Sequence, residues 1–199
     1  ANMADKTENT SYKIIAGWIE EKSSVLDLGC GDGELLSILQ DTKNVRAMGI
    51  EISEQAIYKC VAKGLSVLHE NIEHGLTGYA DKSFDYVILY NTFQEIKNPA
   101  TVLDEAIRVG KKVVVGFPNF AYYKSRFQIF FNGRVPVTSA MSYEWYNTPN
   151  LHFLSIFDFT DYCNIKKIKI EKSVFIGKYG QVKFLPNLFA EMGVFLVSE

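Results

Sequence analysis

The stretch VLDLGCGDGELL, residues 25–36, places an acid and three alternating glycines at the end of one apolar run. Glycine lets backbone approach a ligand closely. A helical pattern starts right after Gly33, so the free N–H groups at a helix start face the same spot. By that alone a phosphate would be at home. The spacing D-x-G-x-G-x-G, however, is neither the G-x-G-x-x-G of dinucleotide sites nor a loop ending in Gly-Lys-Ser/Thr. Asp27 points elsewhere, since a carboxylate beside the glycine turn repels phosphate and suits a cationic ligand. A second acid, Glu51, closes the next apolar run. Tyr90, Asn91, Thr92, Phe93 and Gln94 follow the fourth run and are candidates to touch a reacting molecule, Tyr90 and Asn91 first. Cys30 lies inside the glycine loop, where it is either a reactive thiol or, far more commonly, a small packing residue. His69, His74 and His152 are scattered, and no His/Cys/Asp constellation suggests nucleophilic catalysis.

These residues need a scaffold, and the hydrophobic rhythm supplies one. Tyr12, Ile15, Trp18 and Ile19 lie at helical spacing, with Thr10 or Ser11 as the expected N-cap. SVLDLG reads as a buried strand, Leu35, Leu36 and Leu39 as a helix, and VRAMGIEI as a second strand. Ser53 caps a helix carrying Ala56, Ile57, Cys60 and Val61, which Gly64 ends. LSVLHE and SFDYVILY are the third and fourth strands. Asn98-Pro99 starts a helix that buries Val102, Leu103, Ala106 and Ile107, and KKVVVGF is the fifth strand. The alternation predicts an α/β fold with a mostly parallel sheet covered by helices on both faces. Past Phe117 the rhythm breaks into an aromatic-rich segment, about 118–154, expected to be an insertion or lid. A short helix near Phe157–Cys163 and late strands near Ile165–Phe175 and Gly193–Val197 complete a single domain over 1–199. In such sheets ligands sit beyond the carboxyl ends of the strands, where strand order reverses.

Composition narrows the classes. The 199 residues suffice for one domain with a sizeable core. A net charge of −2 with mixed signs argues against a nucleic-acid partner. Cys30, Cys60 and Cys163 are scattered, which argues against a disulfide framework or any metal site and for a reducing cytoplasm. No apolar run approaches the ~20 residues of a membrane span. ANMADKTENT lacks the apolar centre of a signal peptide, and Met3 is a candidate start.

Asp27-x-Gly29-x-Gly31-x-Gly33 resembles motif I of class I S-adenosylmethionine-dependent methyltransferases. The resemblance implies a Rossmann-like fold with a seven-stranded, mostly parallel sheet and a late antiparallel strand. It also implies that the glycines pack on the methionine and ribose parts of S-adenosylmethionine, and that Asp27 helps hold its amino group. Glu51, 18 positions past Gly33, is then placed to accept two hydrogen bonds from ribose hydroxyls. Asn71 would meet the adenine edge. The implied cofactor set is Asp27, Gly29, Cys30, Gly31, Gly33, Glu51, Ile52, Asn71, Ile72 and Tyr90, with S-adenosylhomocysteine as product. YNTFQ lacks the prolines of the Asn/Asp-Pro-Pro-Tyr/Phe loop of amino-group methyltransferases acting on DNA bases or glutamine.

A narrower resemblance comes from FPNF (117–120), GR with PVT (133–138), and YEWYNTPNLH (143–152), together with KSFDYVIL and NPATVLDEAIRVG. These blocks are similar to the methionine biosynthesis protein MetW family, over roughly Val25–Cys163. Asn147 stands where members commonly have Asp, and Glu70-Asn71 replaces a usual Gly-Asp. The resemblance implies a role in methionine biosynthesis and a link with homoserine O-acetyltransferase, and it names no methyl acceptor. Two roles follow. One is methyl transfer to an unidentified small molecule, with Tyr143, Trp145, Asn150 and His152 lining its pocket, and Arg126 or Arg134 pairing with an acceptor carboxylate. The other is a non-catalytic, cofactor-binding regulatory partner of the acetyltransferase, with YEWY as interface anchor.

Overall fold

The computed structural model describes residues 3–199, with side chains from Thr7 onward. Helix α1 (Met3–Trp18) precedes β1 (Ser24–Leu28), α2 (Glu34–Lys43), β2 (Arg46–Glu51), α3 (Glu54–Ala62) and β3 (Ser66–His69). Then come β4 (Phe84–Tyr90), α4 (Pro99–Val109), β5 (Gly110–Pro118), α5 (Tyr123–Asn132), α6 (Ile156–Lys166), β6 (Lys169–Gly177), β7 (Gly180–Gln181), α7 (Pro186–Phe189) and β8 (Met192–Ser198). Strand order is β3-β2-β1-β4-β5-β8-β6-β7. The first five pair in parallel, and β8 is antiparallel to both β5 and β6. The sheet has eight strands rather than seven. The extra one is the two-residue β7, paired with Ile176 and Gly177 and too short to carry any periodicity.

Pleating sorts the side chains between two layers. Leu26, Leu28, Val87, Leu89, Val113 and Val115 pack on one face against Val102, Leu103 and Ala106 of α4 and Ile156 and Phe159 of α6. Val25, Tyr86, Ile88, Tyr90 and Val114 pack on the other, against Tyr12, Ile15 and Ile19 of α1 and Leu35, Leu36 and Leu39 of α2. Asp27 lies between Leu26 and Leu28, so the same alternation turns it to the α1–α2 side. Strand order reverses between β1 and β4, and Asp27 pairs across that step with Ile88.

Four helices differ from the sequence reading, the four-residue α7 among them, which no periodicity announced. Helix α1 begins at Met3, so Thr10 and Ser11 lie inside it rather than at its cap. Its first turns are polar, and from Thr7 onward what they bury before Tyr12 is hydroxyl side chains, Thr7 and Ser11. They stay helical partly through a Tyr12 Oη donation to Glu8 one turn back (2.7 Å), while Ser11 Oγ donates to Thr7 O. Helix α5 falls in the aromatic segment and leaves Phe127, Phe130 and Phe131 exposed, so no apolar face announced it. Helix α6 outruns its expected span at both ends. Its start is a capping box: Asp158 N donates to Ser155 Oγ (3.2 Å) and Ser155 N to Asp158 Oδ2 (2.8 Å). Ser155→Ala is expected to lower stability by about 1 kcal/mol in chemical denaturation, with the slope of the transition unchanged. Helix α4 starts at Pro99 as expected, although the Asn98 side chain makes no capping bond. Among the described residues no helix is long and apolar enough to cross a membrane.

Candidate functional site

Asp27, next to the end of β1, and Glu51 and Tyr90, which end β2 and β4, are brought to one crevice by the parallel pairing of these adjacent strands. The glycine loop folds back over β2, with Gly29 N and Cys30 N both donating to Ile50 O (2.8 and 3.2 Å). A cavity of about 360 Å³ opens there, lined by Asp27, Gly29, Cys30, Gly31, Glu51, Ile52, Asn71, Ile72 and Tyr90. Gly33 does not line it. It packs instead under Leu65 and Cys60 at the start of α2. Asn71 caps the short turn Ile72–His74, with Oδ1 accepting from Glu73 N.

Asp27 is 4% exposed, and its carboxyl is pushed up to about 7, by burial first and by the Glu51 charge second. A carboxylate offers about four lone-pair sites, and backbone fills three on Glu51. Ile52 N and Ser53 N donate to Oε1, and Gly31 N to Oε2, each at 2.8 Å. Oε2 therefore keeps one site for a ligand hydroxyl, where the sequence reading expected two bonds. Cys30 fills the space left by Gly49, and burial first, then Asp27, raises its thiol well above the ordinary range. It stays a neutral packing group at ordinary pH.

Sequence reasoning missed much of the cavity wall: Glu8 and Tyr12 from α1, Asp32 between the last two glycines, Leu35 after them, Ile50, Glu70 and Glu95; Thr92, singled out after β4, does line it. The Glu8–Tyr12 spacing in α1 was the available signal, since it puts an acid on the same helix face as a core tyrosine.

A second cavity of about 280 Å³ adjoins the first and shares Glu8, Tyr90, Asn91 and Glu95 with it. Asn91 holds a left-handed backbone (φ 57), fixed by its N–H donating to Gly116 O at 2.9 Å. Asn tolerates that conformation better than most residues. Tyr90 lies flat where Gly116 has no side chain, with its ring edge-to-face with Tyr12. Burial raises its hydroxyl well above the ordinary tyrosine range, so it serves as a hydrogen-bonding group and not as a base.

The segment 142–155 divides between two surroundings. Ser142, Tyr143 and Asn150 line the second cavity. Trp145 (71% exposed) and Tyr146 (70%) form an edge-to-face pair on the outside. His152 lines neither cavity, and its Nε2 lies 3.2 Å from Lys97 O. Phe93 is buried among Phe117 and Phe159. Neither arginine reaches either cavity: Arg126 donates to Ala121 O and Asn187 O, and Arg134 is exposed.

Known proteins agree with this architecture. An S-adenosylmethionine-dependent methyltransferase from Archaeoglobus fulgidus superposes with a TM-score of 0.72 at 15% identity, covering 100% of this chain and 95% of that one. One from Aquifex aeolicus gives 0.63 at 19%, covering 94% and 88%. At such identities the likeness is one of fold, and the fold is the Rossmann-like one of class I methyltransferases. The bifunctional methionine biosynthesis protein MetXA/MetW of Rhodopirellula baltica is 36% identical over 181 residues, 86% of this chain. The chain spans 29% of that relative's length. The sequence pattern of the methionine biosynthesis protein MetW matches residues 9–197. With nearly its whole length matched, the chain belongs to the MetW family of methionine biosynthesis proteins.

Proposed function

We propose that the chain binds S-adenosylmethionine in the first cavity and transfers its methyl group to a small molecule in the second. The observation that carries this is the charge of the first cavity. Six carboxylates line it (Glu8, Asp27, Asp32, Glu51, Glu70 and Glu95) and, among the described residues, no Lys, Arg or His does. A phosphate-bearing dinucleotide is a poor match for that wall, and a ligand carrying an ammonium and a sulfonium is a good one. The residues fit the cofactor. Asp27 is a buried carboxylate whose main charged neighbour is another acid, so an ammonium would relieve it. A Cβ placed on Gly31 meets open space, which is room for a ligand against backbone. Ile52, 62% exposed, offers an apolar surface for an adenine ring. The cofactor, when bound, supplies an electrophilic methyl group and leaves as S-adenosylhomocysteine. The protein supplies position, with Tyr90 and Asn91 at the junction of the two cavities.

Titration calorimetry with S-adenosylmethionine and S-adenosylhomocysteine tests the first half, and transfer of labelled methyl to a panel of small metabolites tests the second. Micromolar binding and labelled product are expected. Absence of binding to both nucleosides sinks the reading.

A second role is favoured by two observations: the MetXA/MetW relative joins both parts in one chain, and Trp145–Tyr146 stand exposed beside the site. In this role the chain pairs with homoserine O-acetyltransferase and reports cofactor level to it by differential affinity. Size exclusion of the mixture, with and without S-adenosylmethionine, is expected to show a complex that Trp145→Ala weakens. No complex and no change in acetylation rate rule it out. The three free cysteines fit a reducing compartment such as the cytoplasm.

A further inference from the structure

We propose that the second cavity takes a small amine, its nitrogen seated against the Glu8 and Glu95 carboxylates where the two cavities meet. The inference rests on reading the two cavities as donor and acceptor sites, and it names the acceptor's chemical class. Gln94 and Asn91 add to the argument from within the wall. Gln94 lines this cavity yet is only 5% exposed. Its Nε2 donates to Asn91 O at 2.9 Å, which fixes the amide and leaves Oε1 as an acceptor. Oε1 has no partner, and neither has Asn91 Oδ1. A buried polar atom without a partner is costly and uncommon. Neither oxygen is itself open to solvent, and the deficit within this wall is of one kind: acceptors without donors. An ammonium or amine brings two or three N–H donors, whereas a carboxylate or phosphate brings none.

Charge points the same way. Glu8 and Glu95 line both cavities, and among the described residues no Lys, Arg or His lines either. An anionic acceptor would meet two carboxylates and no counter-charge. The earlier expectation of a carboxylate held by Arg126 or Arg134 fails on the placement of both. At about 280 Å³ the cavity sits at the small end of ligand pockets, so the acceptor is small.

A protonated amine has no free lone pair, so a proton must leave. Glu95 stands at the rim, exposed enough to exchange with solvent, with its carboxyl held above the ordinary range by burial first and Glu51 second. It is suited to take that proton. The nitrogen lone pair then forms the new N–C bond. The C–S bond of the sulfonium donor breaks, its electron pair stays on sulfur, and the proton passes from Glu95 to solvent.

Two isosteric trios provide the test: tyramine, tyrosol and 4-hydroxyphenylacetate, then butylamine, butanol and butyrate. Each is titrated by ligand-observed NMR into protein saturated with S-adenosylhomocysteine. The amine is expected to bind at least tenfold more tightly than its carboxylate in at least one trio. Glu95→Gln and Glu8→Gln should each cut that preference severalfold. No preference for the cation in either trio, including no binding at all, overturns the proposal. So does a preference that both glutamine variants keep in full. Failure of S-adenosylhomocysteine to bind sinks the donor-site reading on which this one stands. Nucleoside binding without amine preference sinks this one alone.

Discussion

Asp27→Asn is expected to make the ligand-free protein more stable and the ligand-bound protein far weaker. The carboxyl is pushed up to about 7 in the fold from an ordinary 3.8, chiefly because it is buried. Below about pH 4 it is protonated in both folded and unfolded chains and no penalty exists. Between about 4 and 7 the unfolded chain ionises while the folded one resists, so stability falls as pH rises. Above about 7 the full cost is present, on the order of 4 kcal/mol. The asparagine has nearly the same shape and no charge. Melting at pH 8 should therefore rise by several degrees, and the gain should shrink towards pH 5. A cationic ligand reverses the account, because its ammonium is what makes ionised Asp27 favourable. Loss of one partner of a buried charge pair should weaken S-adenosylmethionine binding roughly a hundredfold or more. Wild-type binding below pH 7 should also release a proton, visible as a buffer-dependent heat. Normal affinity in Asp27→Asn, or a variant that melts earlier at pH 8, would make Asp27 an ordinary structural acid.

Stability and binding pull apart in this way only where a residue is kept for a ligand at the fold's expense. That character was half legible in the sequence. The motif placed Asp27 beside the glycines, and the β–α alternation put both at a strand end. The period-two and period-3.6 signals exist because buried faces exist, so β1 to β5, α2 and α4 declared themselves. Where no apolar face is buried there was nothing to read. The turns of α1 before Tyr12 are polar, α5 shows phenylalanines to solvent, and β7 is two residues long. The same limit hid the acidic wall. Glu8 reaches the site from a helix whose apolar face alone was visible, and Glu95 lies just past the five residues singled out after β4. The segment YEWYNTPNLH looked like one functional unit because aromatic and polar residues mix along its whole length. Its residues part because an irregular loop has no fixed period by which to infer which way a side chain points.

The motif also made Gly31 and Gly33 look alike, and substitution should separate them. Both have left-handed backbones, φ 55 and φ 76, so alanine costs each on the order of 1 kcal/mol of strain. Their surroundings differ. A Cβ on Gly33 would lie 2.4 Å from Leu65 Cδ1 and 2.9 Å from Cys60 Sγ, both on buried side chains. Crowding of that kind adds about 1–3 kcal/mol. Gly33→Ala should thus lower the melting temperature by roughly 5–15 °C, and the protein that stays folded should bind S-adenosylhomocysteine nearly normally. A Cβ on Gly31 meets nothing within 4 Å, and its backbone is held by Gly31 N on Glu51 Oε2 and Cys60 Sγ on Gly31 O. Gly31→Ala should therefore fold with only a small loss of stability. Its methyl group would occupy space at the first cavity, and nucleoside affinity should fall at least tenfold. Calorimetric titration and thermal melts on the two variants read both quantities. The result that defeats the assignment is Gly31→Ala binding as wild type, because a ligand resting on that backbone cannot ignore a methyl group placed beneath it.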